Sequence, residues 1–302
     1  MAANAFYTPE VVSKMMIGAL VQDLILPRLV NRQAEADFGG GSGTVVNIRT
    51  PPTVTGGGAR TYDQVLRDAG TPIVLDRITE ATVPLTIGPM LYKGVPITDE
   101  DFTFELTDFT RQVVEPVAQP VGIGAEAVLA DVMNGFTASA TITPNDSADE
   151  IHGAVLEARM TLNKRNVPMQ GRILLVSPEI EMALLIDDAN RLVRYQDSGS
   201  TEALRNATIG RLYGMDVITT NELDAWSFMI FDRDAFAFVL KAPPVPAGCT
   251  FGASISYQGL ALRMIRDYDP AFMQDRLVVN VFAGADVLDA QRAIRVVATP
   301  TP

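Results

Sequence analysis

TDEDFTFELTDFTRQVVEPVAQPVGIGAEAVLADVMNGF, residues 98–136, reads as one long helical stretch, and the architecture of the chain follows from its length. Thr98 is a suitable N-cap, and Asp99, Glu100 and Asp101 place negative charge in the first turn, where the helix dipole favours it. Leu106, Phe109, Val113 and Val117 are the core-facing positions of an apolar stripe that continues through Val121, Ala125, Val128 and Val132 at spacings of three and four. Pro116 and Pro120 are expected to bend this helix without ending it. From Asp99 to Asn134 it would span about 50 Å at 1.5 Å per residue. A strut of that length exceeds what a compact domain of this size needs.

Upstream of the strut the texture is extended and rich in glycine. ADFGGGSGTVVNIRTPPTVTGGGARTYD, residues 36–63, holds two clusters, Gly39, Gly40, Gly41 and Gly56, Gly57, Gly58, around a β-branched strand from Thr44 to Arg49. A phosphate-binding loop must follow a strand and open a helix, with Lys-Ser/Thr completing it. Here the strand follows the glycines, and no lysine follows them before Lys93. The clusters therefore read as flexible, φ-permissive backbone. TPIVLDRITEATVPLTIGPMLYKGVPIT, residues 71–98, mixes β-branched residues with Pro72, Pro84, Pro89 and Pro96, the pattern of an edge-exposed hairpin. Val83, Leu85 and Ile87 fall on one side, and Pro84 and Thr86 on the other. Such an excursion has too little core to stand alone and is expected to lie across a partner.

At the N-terminus, Thr8-Pro9-Glu10 is a helix start signal, and Val12, Met16, Leu20, Val21 and Leu24 recur at helical spacing up to Pro27, which is expected to end or bend the helix. Val12, Met16, Leu20 and Leu24 are the candidate intersubunit face. The apolar run Met15–Leu26 carries Gln22 and Asp23, has no basic n-region before it, and falls short of the ~20 residues of a membrane span, so no membrane is implied.

Composition narrows the function. The 302 residues are 47% hydrophobic, enough for a substantial core, and the formal net charge of −12 argues against a dedicated nucleic-acid binder. One cysteine, Cys249, and one histidine, His152, allow neither an internal disulfide nor a Cys/His zinc site. His152 lacks a neighbouring nucleophile and reads as structural, and Cys249 has no adjacent base. Asp187-Asp188 and Asp267-x-Asp269 are carboxylate spacings too common to specify a metal or an acid/base pair. Catalytic residues, cofactors and metals are all expected to be absent. The polar segment from Gln196 to Ser200 reads as a surface loop.

Beyond Asn145 the pattern becomes α/β. Ser147 and Glu150 fit a capping box for a helix carrying Ile151, Val155, Leu156, Ala158 and Leu162. A strand at Arg172–Val176, a helix from Pro178 to Ile186, strands at Met215–Thr219, Phe228–Phe231 and Phe236–Leu240, and a final hairpin turning near Asp267–Asp275 follow.

This order of elements, together with LLVSPEIEMALL (174–185), GRLYGMDVITTNEL (210–223) and DYDPAFMQDRLVVNVFAGADVL (267–288), resembles the major capsid protein of tailed double-stranded DNA phages over essentially the whole chain. The resemblance implies an α+β fold of the Hong Kong 97 type. Residues 1–50 would form an N-arm, 51–97 an E-loop, 98–148 the spine helix of a P-domain, 149–252 an A-domain, and 253–302 the P-domain β-hairpin and the C-terminal return. It implies no enzyme but a virion protein, assembled in the bacterial host cytoplasm as hexamers and pentamers around packaged double-stranded DNA. Portal and scaffolding proteins would be partners, and a procapsid would mature into a larger shell. The glycine clusters become hinges that let identical chains occupy quasi-equivalent positions.

The founding member of that fold is cross-linked between an E-loop lysine and a neighbour's asparagine. Here the lysines are Lys14, Lys93, Lys164 and Lys241, with none between 51 and 92. Covalent cross-linking of that kind is therefore not expected, and Arg60, Arg67 and Arg77 are the candidates for pairing the E-loop with a neighbour's carboxylates. An encapsulin nanocompartment is the alternative within the fold, and the long arm before Thr44 favours the phage. An α/β enzyme using a carboxylate pair is the alternative outside it.

Overall fold

The structure, a computed structural model, describes residues 24–34, 43–49, 53–54, 59–61, 63–70, 72–80, 82–88, 90–100, 110–186, 210–249, 251–257 and 260–300. A one-turn helix α1 (Leu26–Leu29) precedes strand β1 (Val45–Arg49). The excursion then carries β2 (Thr53–Val54), the short helix α2 (Gln64–Asp68) and β3 (Ile78–Thr79), and returns as β4 (Thr82–Thr86). Strand β5 (Met90–Thr98) leads toward a π-helical turn, Thr110–Val114, that runs into helix α3 (Glu115–Asn134). Helix α4 (Ala148–Lys164), β6 (Ile173–Val176), helix α5 (Pro178–Ile186), β7 (Arg211–Leu212), β8 (Met215–Thr219) and β9 (Ser227–Phe231) form the α/β part. Strands β10 (Phe236–Lys241), β11 (Phe251–Tyr257), β12 (Leu260–Asp269), β13 (Gln274–Val287) and β14 (Ala293–Val297) complete the chain.

The strut is present from Thr110 to Asn134, about 37 Å at 1.5 Å per residue. Residues 101–109, with Leu106 and Phe109, lie outside the described residues. Pro116 lies just past the π-helical turn, and the helix continues through both Pro116 and Pro120. The expected stripe is corrected at Val113 and in its second half. Val117, Val121 and Ala125 are buried, but the burial continues through Leu129 and Met133, while Val113, Val128 and Val132 only flank the core. A series of four-residue steps stays on one ridge of the helix, and Val114, Ala118 and Ala130 fill the ridge beside it. Asn134 pins the helix end: its Nδ2 donates to the Glu222 carbonyl at 2.9 Å, and its Oδ1 accepts from Asp224 N–H at 3.1 Å.

Two five-stranded sheets pack with α3. In the first, β11, β12 and β13 are antiparallel neighbours, and the long β13 also pairs with β5 from Gln274 to Phe282 and with β10 from Phe282 to Val287. Met90–Thr98, counted with the excursion from sequence, therefore belongs to the body, because its backbone groups pair with β13 from Gln274 to Phe282. In the second, the order is β14-β9-β6-β8-β7, with β6 and β8 parallel. Alternation divides its side chains: Leu175, Met229, Phe231 and Ala293 enter the core around α3, whereas Leu174, Val176, Phe228, Ile230, Ile294 and Val296 pack under α4 and α5. Strands buried on both faces read as continuous apolar runs, as ILLV and SFMIF do.

Three local expectations change. Ser147 is the N-cap of α4 but makes no side-chain capping bond, because Glu150 turns back to accept from Asn145 N–H at 2.8 Å. Leu156 is exposed, while Ile151, Val155, Ala158 and Leu162 are buried. The expected strand at Arg172 begins at Ile173, and Arg172 itself is buried with its guanidinium donating to the carbonyls of Val167 and Pro168 at 2.6 and 2.7 Å. Burial costs such a cation least when fixed carbonyl dipoles replace its water.

The excursion rests on the opposite face of the first sheet. Strands β1 and β4 pair antiparallel, Val45 opposite Thr86 and Arg49 opposite Thr82, and β2 pairs with β3 farther out. Leu85 is buried, Val83 and Ile87 are half-buried, and Pro84 and Thr86 are exposed, in line with the expected alternation. Val46 and Leu85 pack on Ala237 and Val239 of β10, whose other side chains, Phe236, Phe238 and Leu240, face the α3 core.

Candidate assembly surfaces

Residues beyond the base of the excursion have almost no core of their own. Val65, Ile73, Val74, Leu75 and Ile78 are all strongly exposed, Leu75 at 82%. So many large apolar side chains on one thin excursion form an exposed apolar surface of the kind that another chain can cover. Arg60 stiffens this region, donating to Asp76 Oδ1 at 3.0 Å and to the Val74 carbonyl at 3.2 Å. It thus engages a carboxylate of its own chain. Arg67 and Arg77 are exposed on the same excursion. Lys93 stands opposite Val279 in the body sheet, on β5 rather than on the excursion.

A second exposed surface is the turn between β12 and β13. Phe272 and Met273 are 73% and 69% exposed, and Met273 adopts φ +48°, a conformation uncommon for a residue with a side chain. Asp269 Oδ1 accepts from Ala271 N–H at 3.1 Å, and the Tyr268 hydroxyl donates to Asp99 Oδ2 at 3.0 Å, which raises the phenol's pKa from its ordinary value. Arg276 lies 3.9 Å from Asp267 and 3.4 Å from Asp269, so both carboxylates of this pair share one cation of their own chain.

The N-terminal candidates divide. Val12, Met16 and Leu20, and the hinge glycines Gly39–Gly41 and Gly56–Gly58, lie outside the described residues. Leu24 is corrected: at 2% exposure it is buried in its own chain's core with Leu26 and Val30, and so is not part of an intersubunit face. Pro27 opens the one-turn helix α1 rather than ending a longer one.

Sequence reasoning missed the group that secures this segment. Glu126, 8% exposed on α3, accepts the N–H of Leu26 at 2.7 Å and of Ile25 at 3.1 Å through one carboxylate oxygen. Both are orphan donors at the start of α1, which has no side-chain cap of its own. Burial raises the Glu126 pKa; the two N–H bonds oppose that shift, and the charge of Glu222 adds to it. The signal was present in AEAVLA, 125–130, as a lone acid within the apolar run.

The residues weighed for chemistry are structurally engaged. His152 is buried, with its Nδ1 3.2 Å from the Tyr213 hydroxyl. Cys249 is half-buried and its thiol donates to the Phe251 carbonyl at 3.2 Å. Asp187, Asp188 and the loop 196–200 lie outside the described residues. Among the described residues no group of three or more His, Cys, Asp or Glu side chains is placed to hold a metal ion. Among the described residues one helix, Gln112–Asn134, is long and apolar enough to cross a membrane, and it is a core helix of this fold.

No protein-family profile matches the chain, and no curated protein matches it significantly by sequence. Solved structures do. A chain of Mycobacterium phage Che8 is 21% identical and superposes with a TM-score of 0.66 over 90% of each chain. The capsid structure of cyanophage P-SCSP1u gives 15% identity and a TM-score of 0.60 over 86% of this chain and 85% of that one. The virus-like particle from Pyrococcus furiosus, 12% identical, gives 0.52 over 97% of this chain and 100% of its own. The chain has the α+β fold of phage major capsid proteins, the Hong Kong 97 type.

Proposed function

We propose that this chain is a phage major capsid protein. It builds the virion shell from hexamers and pentamers of itself, around double-stranded DNA held without sequence-specific contacts. The observation that carries the reading is the fold match over nine-tenths of the chain, combined with an excursion whose apolar residues lie uncovered on a single copy. The role is structural, not enzymatic. The two glycine clusters act as hinges, and Val12, Met16, Leu20, Arg60, Arg67 and Arg77 contribute to contacts between copies. Assembly takes place in the host cytoplasm with portal and scaffolding partners. A procapsid then expands without a covalent link from the excursion, since Lys93 stands in the body sheet. Sedimentation and electron microscopy of the purified chain test this: closed shells are expected, and a discrete small oligomer would refute it.

The likeness to the Pyrococcus furiosus virus-like particle supports a second reading in the same fold, an encapsulin-type nanocompartment. A portal vertex or packaged genome in particles from infected cells excludes it. Particles enclosing a protein cargo instead would establish it.

A further inference from the structure

Strands rarely hold glycine at mid-length unless another backbone approaches closely. Gly284 is such a residue, set in β13 opposite Val239 of β10. The end of β4 crosses directly over it. A Cβ on Gly284 would lie 2.5 Å from the Thr86 carbonyl oxygen and 3.1 Å from Ile87 Cα, where ordinary contact begins at 3.4 Å. Both are main-chain atoms, so no side-chain rotation relieves the overlap. The crossing has a second glycine on the other side. A Cβ on Gly88 would come 3.0 Å from the Ala283 carbonyl oxygen, and Gly88 N–H donates to that same oxygen at 2.8 Å. Neither glycine has a left-handed φ, so space and not backbone preference excludes a side chain at Gly284 and crowds one at Gly88. Ile87 N–H donates to the Thr44 carbonyl at 2.9 Å, which ties the start of β1 to the same crossing.

We propose that Gly284, with Gly88, is the positioning contact that sets the angle at which the β1·β4 excursion leaves the body, and with it the geometry in which the excursion meets a second copy of the chain. A shift of the main chain at this base is carried outward to the exposed residues Ile73, Val74 and Leu75. Cluster packing of Val46 and Leu85 on β10 holds the excursion to the body but does not fix its tilt, because apolar contacts are non-directional. Backbone-on-backbone contact with a hydrogen bond is directional and leaves no slack. The inference rests on the shell reading for its consequence and on the glycine geometry for its cause.

The test compares the full-length wild-type chain with Gly284→Ala, Gly88→Ala and the control Gly153→Ala, whose added Cβ meets nothing within 4 Å. Spin labels on cysteines replacing Leu75 and Met169, in a Cys249→Ser background, report the distance from excursion to body at concentrations where the chain is monomeric. Electron microscopy reports shell diameter. We expect a shifted distance distribution in Gly284→Ala, a smaller shift in Gly88→Ala, none in Gly153→Ala, and loss of closed shells of wild-type diameter in Gly284→Ala. Unchanged distances in both crossing variants, or wild-type shells from Gly284→Ala, overturn the proposal. If Gly284→Ala does not fold, Gly88→Ala decides on the same two readouts. Failure of the wild-type chain to form shells counts against the shell reading, while the label distances still judge the contact.

Discussion

Replacing Glu126 separates the two things this buried carboxylate does: it accepts two backbone N–H groups, and it carries a charge into the core. Glu126→Ala removes the acceptor. The Leu26 N–H is then left desolvated beside a fully buried side chain, at a cost of roughly 1–3 kcal/mol, and the half-exposed Ile25 N–H, which water can reach, adds about 0.5–1.5 kcal/mol. The expected loss is therefore about 2–4 kcal/mol. Glu126→Gln keeps an amide oxygen in place of the carboxylate and removes the charge. Because burial holds the Glu126 pKa above its ordinary 4.5, the folded state binds the proton more tightly than the unfolded chain does. The stabilisation due to the protonated group is complete below the unfolded value and is lost as pH rises through the folded one. The wild type and Glu126→Gln should thus have similar stability in acid, with the glutamine variant gaining as pH rises. Denaturant or thermal melts of the three chains from about pH 5 to about pH 8 measure this. A glutamine variant as unstable as the alanine one at neutral pH, or a difference that does not grow with pH, would refute the reasoning.

Leu129→Ala should cost about 2–5 kcal/mol and Val132→Ala distinctly less, since Leu129 is fully buried and Val132 only flanks the core; equal melting losses would contradict the corrected stripe. Leu75→Asp should leave subunit melting unchanged and reduce shell yield, because the side chain is exposed on the single chain; normal shell yield would remove this residue from the interface. Arg60→Ala should change subunit stability by only ~0–1 kcal/mol, as expected for an exposed pair with Asp76, and a larger loss in melts would show that the pair organises the excursion. On a denaturing gel, mature particles should give one band near 32.6 kDa, whereas a ladder of multimers would overturn the proposal that no covalent link runs from the excursion.

Much of the fold was legible because its signals are local. The helical period of residues 110–134, the strand alternation at Val83–Ile87, the apolar runs at 173–176 and 227–231, and the turn between β12 and β13 each depend on residues within a few positions of one another. The order of those elements was enough to suggest a capsid-type fold, and the structural likeness bears that out. Hydrophobicity at Leu24 was equally plain, but not its destination. The same apolar face can meet a neighbour or its own core, and only the tertiary structure, by seating α1 on α3, decided for the core. Glu126 and Gly284 were visible as anomalies, an acid in an apolar run and a glycine in a strand. Their partners lie 100 and about 200 residues away along the chain, at Leu26 and Thr86. Local sequence specifies which backbone shape each segment prefers, whereas burial, an acceptor for an orphan N–H and the clearance between two crossing strands are properties of surfaces brought together by the fold.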